Sequence, residues 1–142
     1  MKDTIFNSQR VLSHWDYRVE NMFFGAGGEL VVIDWQLMNI NNPANDLAYL
    51  LGSNVDVTLR RSAERDLMQL FLEGLRQHGV EGYSASDLER DYRLALLAVS
   101  AIPIIGGASA DITNERSAKL FGVVGARLFQ AVEDWEALGA LP

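Results

Sequence analysis

The N-terminal part of the chain carries the pattern of short strands. Two apolar runs, 21–24 and 29–33, flank the glycine-rich segment 25–28, and this arrangement predicts a β-hairpin. Residues 1–13 predict an irregular or strand-like lead-in. The segment 39–43 consists mainly of asparagine and ends in a proline, which is typical of a turn. One hairpin is therefore the whole of the predicted sheet.

Beyond Pro43 the apolar residues recur at helical spacing. A short helix is predicted from Pro43 through Leu51, because proline is favoured in the first turn of a helix. A second helix is predicted from about Thr58 to His78, and Gly79 ends it. Its apolar residues share one face, which we predict to be buried. That face consists of Leu59, Ala63, Leu67, Leu70, Phe71 and Leu75, and the opposite face of Arg60, Arg61, Glu64, Arg65 and Gln69.

Two further helices are predicted in the C-terminal half, separated by a break between Pro103 and Ser109. Ser84 or Ser86 can cap the first and Thr113 the second, because a hydroxyl group can accept a hydrogen bond from the free amides of a helix start. The predicted buried residues are Leu88, Tyr92, Ala95, Leu96 and Val99 in one helix and Phe121, Val124, Leu128, Val132 and Trp135 in the other.

Composition narrows the class of protein. The chain has 142 residues, 49% of them hydrophobic and 22% charged, which is ordinary for a single soluble domain over 1–142. Its net charge of −7 argues against a nucleic-acid partner, since no basic stripe is present to neutralise phosphates. The sequence has no cysteine, which excludes disulfides and thiolate metal sites. With no signal-peptide pattern at the N-terminus, we expect a cytoplasmic protein.

The segment 94–110 is the place where a membrane span has to be considered. It has no charged residue, but it is shorter than the roughly 20 residues that a span requires and contains Pro103, Gly106 and Gly107. We therefore predict a buried core helix that is kinked or ended near Pro103, and no membrane partner.

Polar residues around the predicted hairpin suggest a phosphoryl-transfer site. Asp16 is followed by Asn21 and then, beyond the hairpin, by Asp34. In kinase-type chemistry one Asp accepts the proton of the attacking hydroxyl, while an Asn and a second Asp hold magnesium ions on the nucleotide phosphates. The hairpin returns Asp34 to the end of the loop beside Asn21, so we expect the three side chains to converge.

Each of these residues also has a structural interpretation. A lone Asp or Asn in a polar loop usually caps a turn. Asp34 is more informative, because a carboxylate at the end of an apolar strand costs free energy unless a charge such as a metal ion meets it. His14 could be a general base or a zinc ligand, but zinc needs three or four close ligands and His78 is the only other histidine. A structural His14 bonded to the loop backbone is therefore favoured.

These residues also carry a family resemblance. The stretch resembles the aminoglycoside phosphotransferase and choline kinase superfamily, particularly its ecdysteroid-kinase-like branch, over about residues 10–52. The matching residues are His14-Trp15-Asp16, Asn21, Ile33-Asp34-Trp35 and Asp46-Leu47-Ala48. The resemblance implies an α+β fold: a protein-kinase-like C-terminal lobe, mostly α-helical, with one β-hairpin carrying the catalytic and metal-binding loops.

The resemblance also implies roles for single residues. Asp16 would be the catalytic base, and Asn21 and Asp34 would bind Mg²⁺ and, through it, ATP. His14, grouped with Asp16 at the catalytic site, and Asp46 would brace the loop. Asp46 equally suits the first turn of a helix, where the helix dipole favours a carboxylate. The resemblance further implies an acidic substrate groove, for which the candidates are Glu89, Asp91, Glu133 and Asp134.

Two substitutions depart from the family pattern. Trp15 stands where the family has Gly, so the loop is strained if that position requires a positive φ. Glu20 stands where Asp is common, which changes length and not charge. Neither departure removes a proposed catalytic group.

An N-terminal kinase lobe is not expected within this sequence. Its only lysines are Lys2 and Lys119, and neither lies in an apolar strand pattern that could hold nucleotide phosphates. We therefore interpret the chain as most of a C-lobe with the N-lobe absent. Such a chain should expose apolar surface near residues 1–35, and we expect a separate N-lobe or self-association to cover it.

Two functions remain at this stage. The first is the C-lobe of an ATP-dependent phosphotransferase that transfers the γ-phosphate to a hydroxyl of a small molecule such as an aminoglycoside, a choline-like alcohol or a steroid. The second is a non-catalytic kinase fragment that serves as a binding or interaction module or survives as a gene remnant. In either case we expect the isolated chain to be inactive.

Overall fold

Helices make up most of the chain, and two small antiparallel sheets lie near its N-terminus, so the fold is of the α+β type. The computed structural model describes residues 9–109 and 114–141. The strands are β1 (Val11–Ser13), β2 (Met22–Phe24), β3 (Leu30–Val32) and β4 (Asn39–Asn41). The helices are α1 (Asn45–Tyr49), α2 (Val57–Gln77), α3 (Ala85–Val99), α4 (Ala101–Ser109) and α5 (Glu115–Asp134).

The predicted hairpin is confirmed. Strands β2 and β3 pair antiparallel with Phe23 opposite Val31. The Gly25 amide donates to the carbonyl of Glu29 at 2.8 Å and closes the turn. Gly28 has φ +90°, which explains why the turn needs glycine at that position.

The expectation of a single hairpin is wrong, because a second sheet joins β1 to β4. Leu12 pairs with Ile40 and Ser13 with Asn39. The segment 39–43 was predicted to be a turn from its asparagines, but the first three of these residues form a strand. Pairing with β1 overrides the turn tendency of asparagine, since this contact lies far away in sequence.

Helix α1 is short and continues into a π-helical turn, Leu50–Asn54. Gly52 lies in this turn, and a Cβ atom there would be 2.7 Å from Cδ2 of Leu128 on α5. The lack of a side chain at Gly52 thus allows the α1 segment to pack closely on α5. The same core contains Tyr92, Leu96 and Val99 of α3, all fully buried.

The bounds of α2 agree with the prediction, but its buried face does not. Asp56 caps the helix by accepting a hydrogen bond from the Thr58 amide, and Gly79 follows it with φ +81°. The prediction that Arg60 and Glu64 face solvent is wrong, and of the predicted buried face only Phe71 and Leu75 are shown packing against the core. The buried residues of α2 are Arg60, Glu64, Met68 and Leu72, whereas Leu59, Leu67 and Leu70 are exposed.

Partners from other helices explain the burial of these charges. Arg60 bonds to Glu64 at 2.8 Å and forms an ion pair with Asp134 of α5. Glu64 also accepts hydrogen bonds from the Tyr92 hydroxyl at 2.5 Å and from Nε1 of Trp135 at 2.7 Å. These bonds offset the cost of burying the two charges, although the buried Nε of Arg60 has no hydrogen-bond partner among the described residues.

In the C-terminal half, some predictions are confirmed and one is wrong. Ser84 caps α3 in a capping box with Asp87, as predicted. The break predicted between Pro103 and Ser109 is instead helix α4, with Pro103 in its first turn, where no backbone donor is needed. The candidate cap Thr113 lies outside the described residues. In α5, Leu128 is buried, as is Trp135 just beyond the helix, in agreement with the prediction.

The apolar stretch in the C-terminal half is long enough and apolar enough to span a membrane. Residues Ala85–Ala108 have a mean hydropathy of 1.3 in their most apolar window, 39% of which is buried. Within the described residues this is one stretch that meets the criterion by length and composition alone, and core helices of soluble proteins meet it as well.

Candidate active site

His14 is fixed by bonds from both ring nitrogens to the backbone. Its Nε2–H donates to the carbonyl of Ile33 at 2.8 Å, and its Nδ1 accepts from the Asp16 amide at 3.3 Å. These two contacts assign the neutral tautomer that carries its proton on Nε2. The imidazole is also buried. Its two bonds tie the start of the loop to the end of the hairpin. His14 therefore positions Asp16, as the preference for a structural histidine anticipated.

The Asp46 carboxylate accepts three hydrogen bonds from residues at the start of the loop. Its Oδ1 accepts from the Ser13 hydroxyl at 2.8 Å and from the Trp15 amide at 2.9 Å. Its Oδ2 accepts from the His14 amide at 2.7 Å. The carboxylate stands in the first turn of α1, so the brace role and the helix-dipole role of Asp46 coexist.

The loop contains strained backbone at Trp15. This residue has φ 69°, the left-handed region in which glycine is favoured and a side chain costs free energy. The loop was expected to be strained if Trp15 takes a positive φ, and it does so. The hydrogen bond from the Trp15 amide to Asp46 helps to hold the conformation.

Asn21 is clamped onto Asp16. Its Nδ2 donates to the main-chain carbonyl of Asp16 at 2.9 Å and to Asp16 Oδ2 at 3.0 Å. Nε of Arg18 lies 3.4 Å from the same carboxylate oxygen. Because Asn21 uses its NH₂ group on Asp16, its Oδ1 is the atom left to meet a cation.

Asp34 reaches the same end of the hairpin through the backbone. The Ile33 amide donates to the carbonyl of Asn21 at 3.0 Å, so the residue before Asp34 is bonded to Asn21. Asp34 itself is exposed and has φ 67°. A non-glycine residue in this region is uncommon and is concentrated at functional sites.

The oxygen atoms of Asn21 and Asp34 are of the type that binds a hard cation together with a ligand such as a nucleotide. Carboxylate and amide oxygens are what Mg²⁺ prefers, and Mg²⁺ usually takes its remaining ligands from water and phosphates. Within residues 9–109 and 114–141, no group of three or more His, Cys, Asp or Glu side chains is placed to hold a metal ion. An ion at Asn21 and Asp34 would thus depend on nucleotide phosphates, and the described residues offer no zinc-type site.

Sequence reasoning missed Tyr49 at this site. Burial, followed by the nearby Asp16 carboxylate, raises the pKa of the Tyr49 hydroxyl to about 12. The hydroxyl therefore stays protonated at neutral pH beside the proposed base. The residue directly follows Asp46-Leu47-Ala48, and helical spacing places it one turn from Asp46.

The acidic residues considered for substrate binding do not form one groove. Asp91 is fully buried and accepts from the Tyr83 hydroxyl at 3.0 Å. Asp134 is paired with Arg60 and Arg61, whose contacts lower the pKa of its carboxyl to about 2. Glu89 lines a small cavity beside Trp135, and Glu133 lines another beside Leu138. Asp91 and Asp134 thus have structural partners that sequence could not reveal.

A further cavity lies next to the loop, and its lining differs from that of the cavities at Glu89 and Glu133. A cavity of about 560 Å³ opens between the loop and α5 and is lined by Arg18, Glu20, Lys119, Leu120 and Val123. It has charges of both signs and an apolar wall. Lys119 was set aside in the sequence because it lies outside any strand, but it faces this cavity.

The hairpin next to the loop exposes apolar side chains, as expected. Phe24 is 71% exposed, and Phe23, Leu30 and Val31 are exposed as well. The predicted apolar surface near the first 35 residues is therefore present.

A known protein family matches the part of the chain that contains these site residues. The model of the ecdysteroid kinase-like family matches residues 4–80, which contain the loop, the hairpin, α1 and α2. Searches of curated proteins and of solved structures gave no match. Because the matched segment covers more than half of the 142 residues and includes Asp16, Asn21, Asp34 and Asp46, the chain belongs to the ecdysteroid kinase-like family, within the protein kinase-like superfamily.

Proposed function

We propose that this chain is the C-terminal lobe of an ATP-dependent kinase that transfers the γ-phosphate to a hydroxyl of a small molecule. One observation carries the proposal: the Asn21 amide clamps the carboxylate of Asp16, while His14 bonds to the carbonyl just before Asp34. These contacts support the proposal, because they bond Asp16 to Asn21 and tie the loop to the residue before Asp34.

The residues divide the chemistry between them. Asp16 accepts the proton of the attacking hydroxyl, and Asn21 holds its carboxylate in place. Oδ1 of Asn21 and the carboxylate of Asp34 would hold Mg²⁺. When bound, the ion neutralises charge on the phosphates of the nucleotide. His14 and Asp46 keep the loop in shape and take no proton, because their acceptor atoms are occupied by backbone or hydroxyl donors.

The cavity beside the loop is the place for the acceptor molecule. It is lined by Arg18, whose Nε lies 3.4 Å from the Asp16 carboxylate, and by Glu20, which supports binding of the acceptor hydroxyl near the base. Its mixed lining suits a substrate with an apolar body and polar groups.

A second candidate function is a non-catalytic interaction module. The exposed apolar side chains of β2 and β3 favour it, since surfaces of this kind are commonly covered by partners. The exposed surface alone does not separate the two functions, because a catalytic lobe would also use it to bind the lobe that covers the nucleotide, whereas only the kinase predicts turnover.

Reconstitution tests the proposal. Phosphoryl transfer depends mainly on positioning, so we expect the 142-residue chain alone to bind Mg-ATP weakly and to turn over negligibly. Mixing or fusing it with a nucleotide-covering lobe of the same family should give ADP release with a hydroxylated acceptor, measured by a coupled assay.

Single substitutions test the role of Asp16 as the base. Asp16→Asn should reduce turnover by at least about a hundredfold, as expected for loss of a general base. The matched change Asp66→Asn, at an exposed position on α2, should leave turnover unchanged. Turnover that survives in Asp16→Asn would show that another group is the base.

A further inference from the structure

Part of the apolar surface of helix α2 is open to solvent. The buried face carries Arg60, Glu64, Met68 and Leu72, and Phe71 and Leu75 pack partly against the core. Leu67 and Leu70 are exposed, and together with Phe71 and Leu75 they line an open groove. Two leucines of the helix are therefore directed at a groove and not at the centre of the protein.

The groove has a volume of about 550 Å³ and runs between α2 on one side and β1 and α1 on the other. Val11, Leu12 and Leu47 line the opposite wall. Its rims are open, since Leu70 is 63% and Leu12 is 58% exposed. Pockets for small ligands usually enclose most of the ligand, so an open apolar trough of this kind suits a rod-shaped occupant better.

Charge limits what can fill the groove. Its polar lining residues are Asp46 and Tyr17, and no basic residue of the described chain lines it. On α2, exposed Asp66 and Glu73 lie four residues before and three after Leu70, which makes them its neighbours on the helix surface. The groove therefore has two carboxylates along its outer rim, which an occupant with positive charge complements, while the Asp46 carboxylate inside it already accepts three hydrogen bonds from the loop.

We propose that this groove docks a basic amphipathic helix of a partner protein. The apolar lining on α2 extends from Leu67 to Leu75, roughly 12 Å at 1.5 Å per residue, which matches two turns of a partner helix. A helix of this kind places apolar side chains at i, i+3 or i+4 and i+7 in such a trough. Lysine or arginine on its flanks then meets Asp66 and Glu73. The proposal is independent of phosphoryl transfer.

Two synthetic helices test the proposal. Both have about 14 residues, roughly four turns, with leucines at the same positions, and they carry either lysine or glutamate on the polar face. Fluorescence anisotropy with the 142-residue chain should give a Kd for the lysine helix at least about tenfold below that for the glutamate helix. In ¹⁵N spectra, the shifts should concentrate at Leu67, Leu70, Phe71 and Leu75.

A matched pair of variants separates the groove from general attraction to an acidic protein. Leu70→Asp adds a charge to the groove wall, and Leu59→Asp adds the same charge to the same helix at a position that is 59% exposed and outside the groove. Both changes are at exposed positions, so both variants should fold. Leu70→Asp should weaken binding of the lysine helix by about tenfold or more, and Leu59→Asp should leave it within about twofold.

Several outcomes would overturn the proposal. Equal weakening by both variants, or equal affinity for the two helices, would remove the recognition claimed here. Binding of dodecylammonium without binding of the lysine helix would make the groove a site for a small amphiphile. A dimer in sedimentation velocity that Leu70→Asp dissolves would assign the groove to a second copy of the chain.

Discussion

The Asp16 loop and the hairpin that follows it are adjacent in sequence but opposite in character. In the loop, polar groups are buried or half-buried and bonded to one another, with Asp46 and His14 each joining two segments. In the hairpin, apolar side chains such as Phe24 and Val31 face outward. Residues of the loop thus bond to one another within the described part of the chain, whereas the apolar side chains of the hairpin are exposed. Changes in the two regions should therefore have opposite consequences.

The largest effect is expected from Asp46→Ala. The substitution leaves the Ser13 hydroxyl and the His14 and Trp15 amides without their acceptor, and unsatisfied groups of this kind together cost about 3 kcal/mol or more. Urea unfolding measures the loss. Asp66→Ala, at an exposed position of α2, is the control and should change stability by less than about 0.5 kcal/mol. A loss below about 1 kcal/mol for Asp46→Ala would contradict the view that the loop depends on this brace.

A smaller effect tests the strain at Trp15. Glycine at a left-handed position avoids the clash of Cβ, so Trp15→Gly should be more stable than Trp15→Ala by about 1 kcal/mol. Both variants remove the indole, so the comparison isolates the backbone. At an ordinary position the order is reversed, because glycine loses more entropy on folding. Thermal unfolding that ranks alanine above glycine would show that the φ of 69° is not a source of strain.

The smallest effect on stability is expected in the hairpin. Phe24→Thr should alter the free energy of unfolding by less than about 0.5 kcal/mol, since the ring is 71% exposed and threonine suits a strand. Leu96→Ala, at a fully buried position, should cost about 2–5 kcal/mol. If the hairpin mediates self-association, the same Phe24→Thr change should lower the mass measured by light scattering at high protein concentration. A large loss of stability in Phe24→Thr would mean that the hairpin is packed within the chain.

The hairpin was predicted correctly because its determinants are local: two apolar runs flank a turn that needs glycine at position 28. Asp16 and Asn21, five residues apart, also bond to each other. The braces of the loop act over longer distances, since Asp46 lies about thirty residues beyond the groups that it binds. Arg60 and Glu64 were wrongly predicted to face solvent because their partners Asp134, Tyr92 and Trp135 lie elsewhere in the chain, and a helical wheel contains no information about them. Strand β4 was missed for the same reason, since its partner β1 is distant in sequence. Helix α4 was missed because Pro103 was treated as a breaker, although its place in the first turn is compatible with a helix.

We propose that Asn21 and Asp34 hold one metal ion on nucleotide phosphates, and Mn²⁺ provides the most direct measurement of that site. With ATP present, substoichiometric Mn²⁺ should broaden the ¹⁵N–¹H signals of Asn21, Asp34 and their neighbours first. Asp34→Asn should remove most of this broadening, while Asp66→Asn should retain it. Broadening centred elsewhere, or unchanged in Asp34→Asn, would contradict the account of this site.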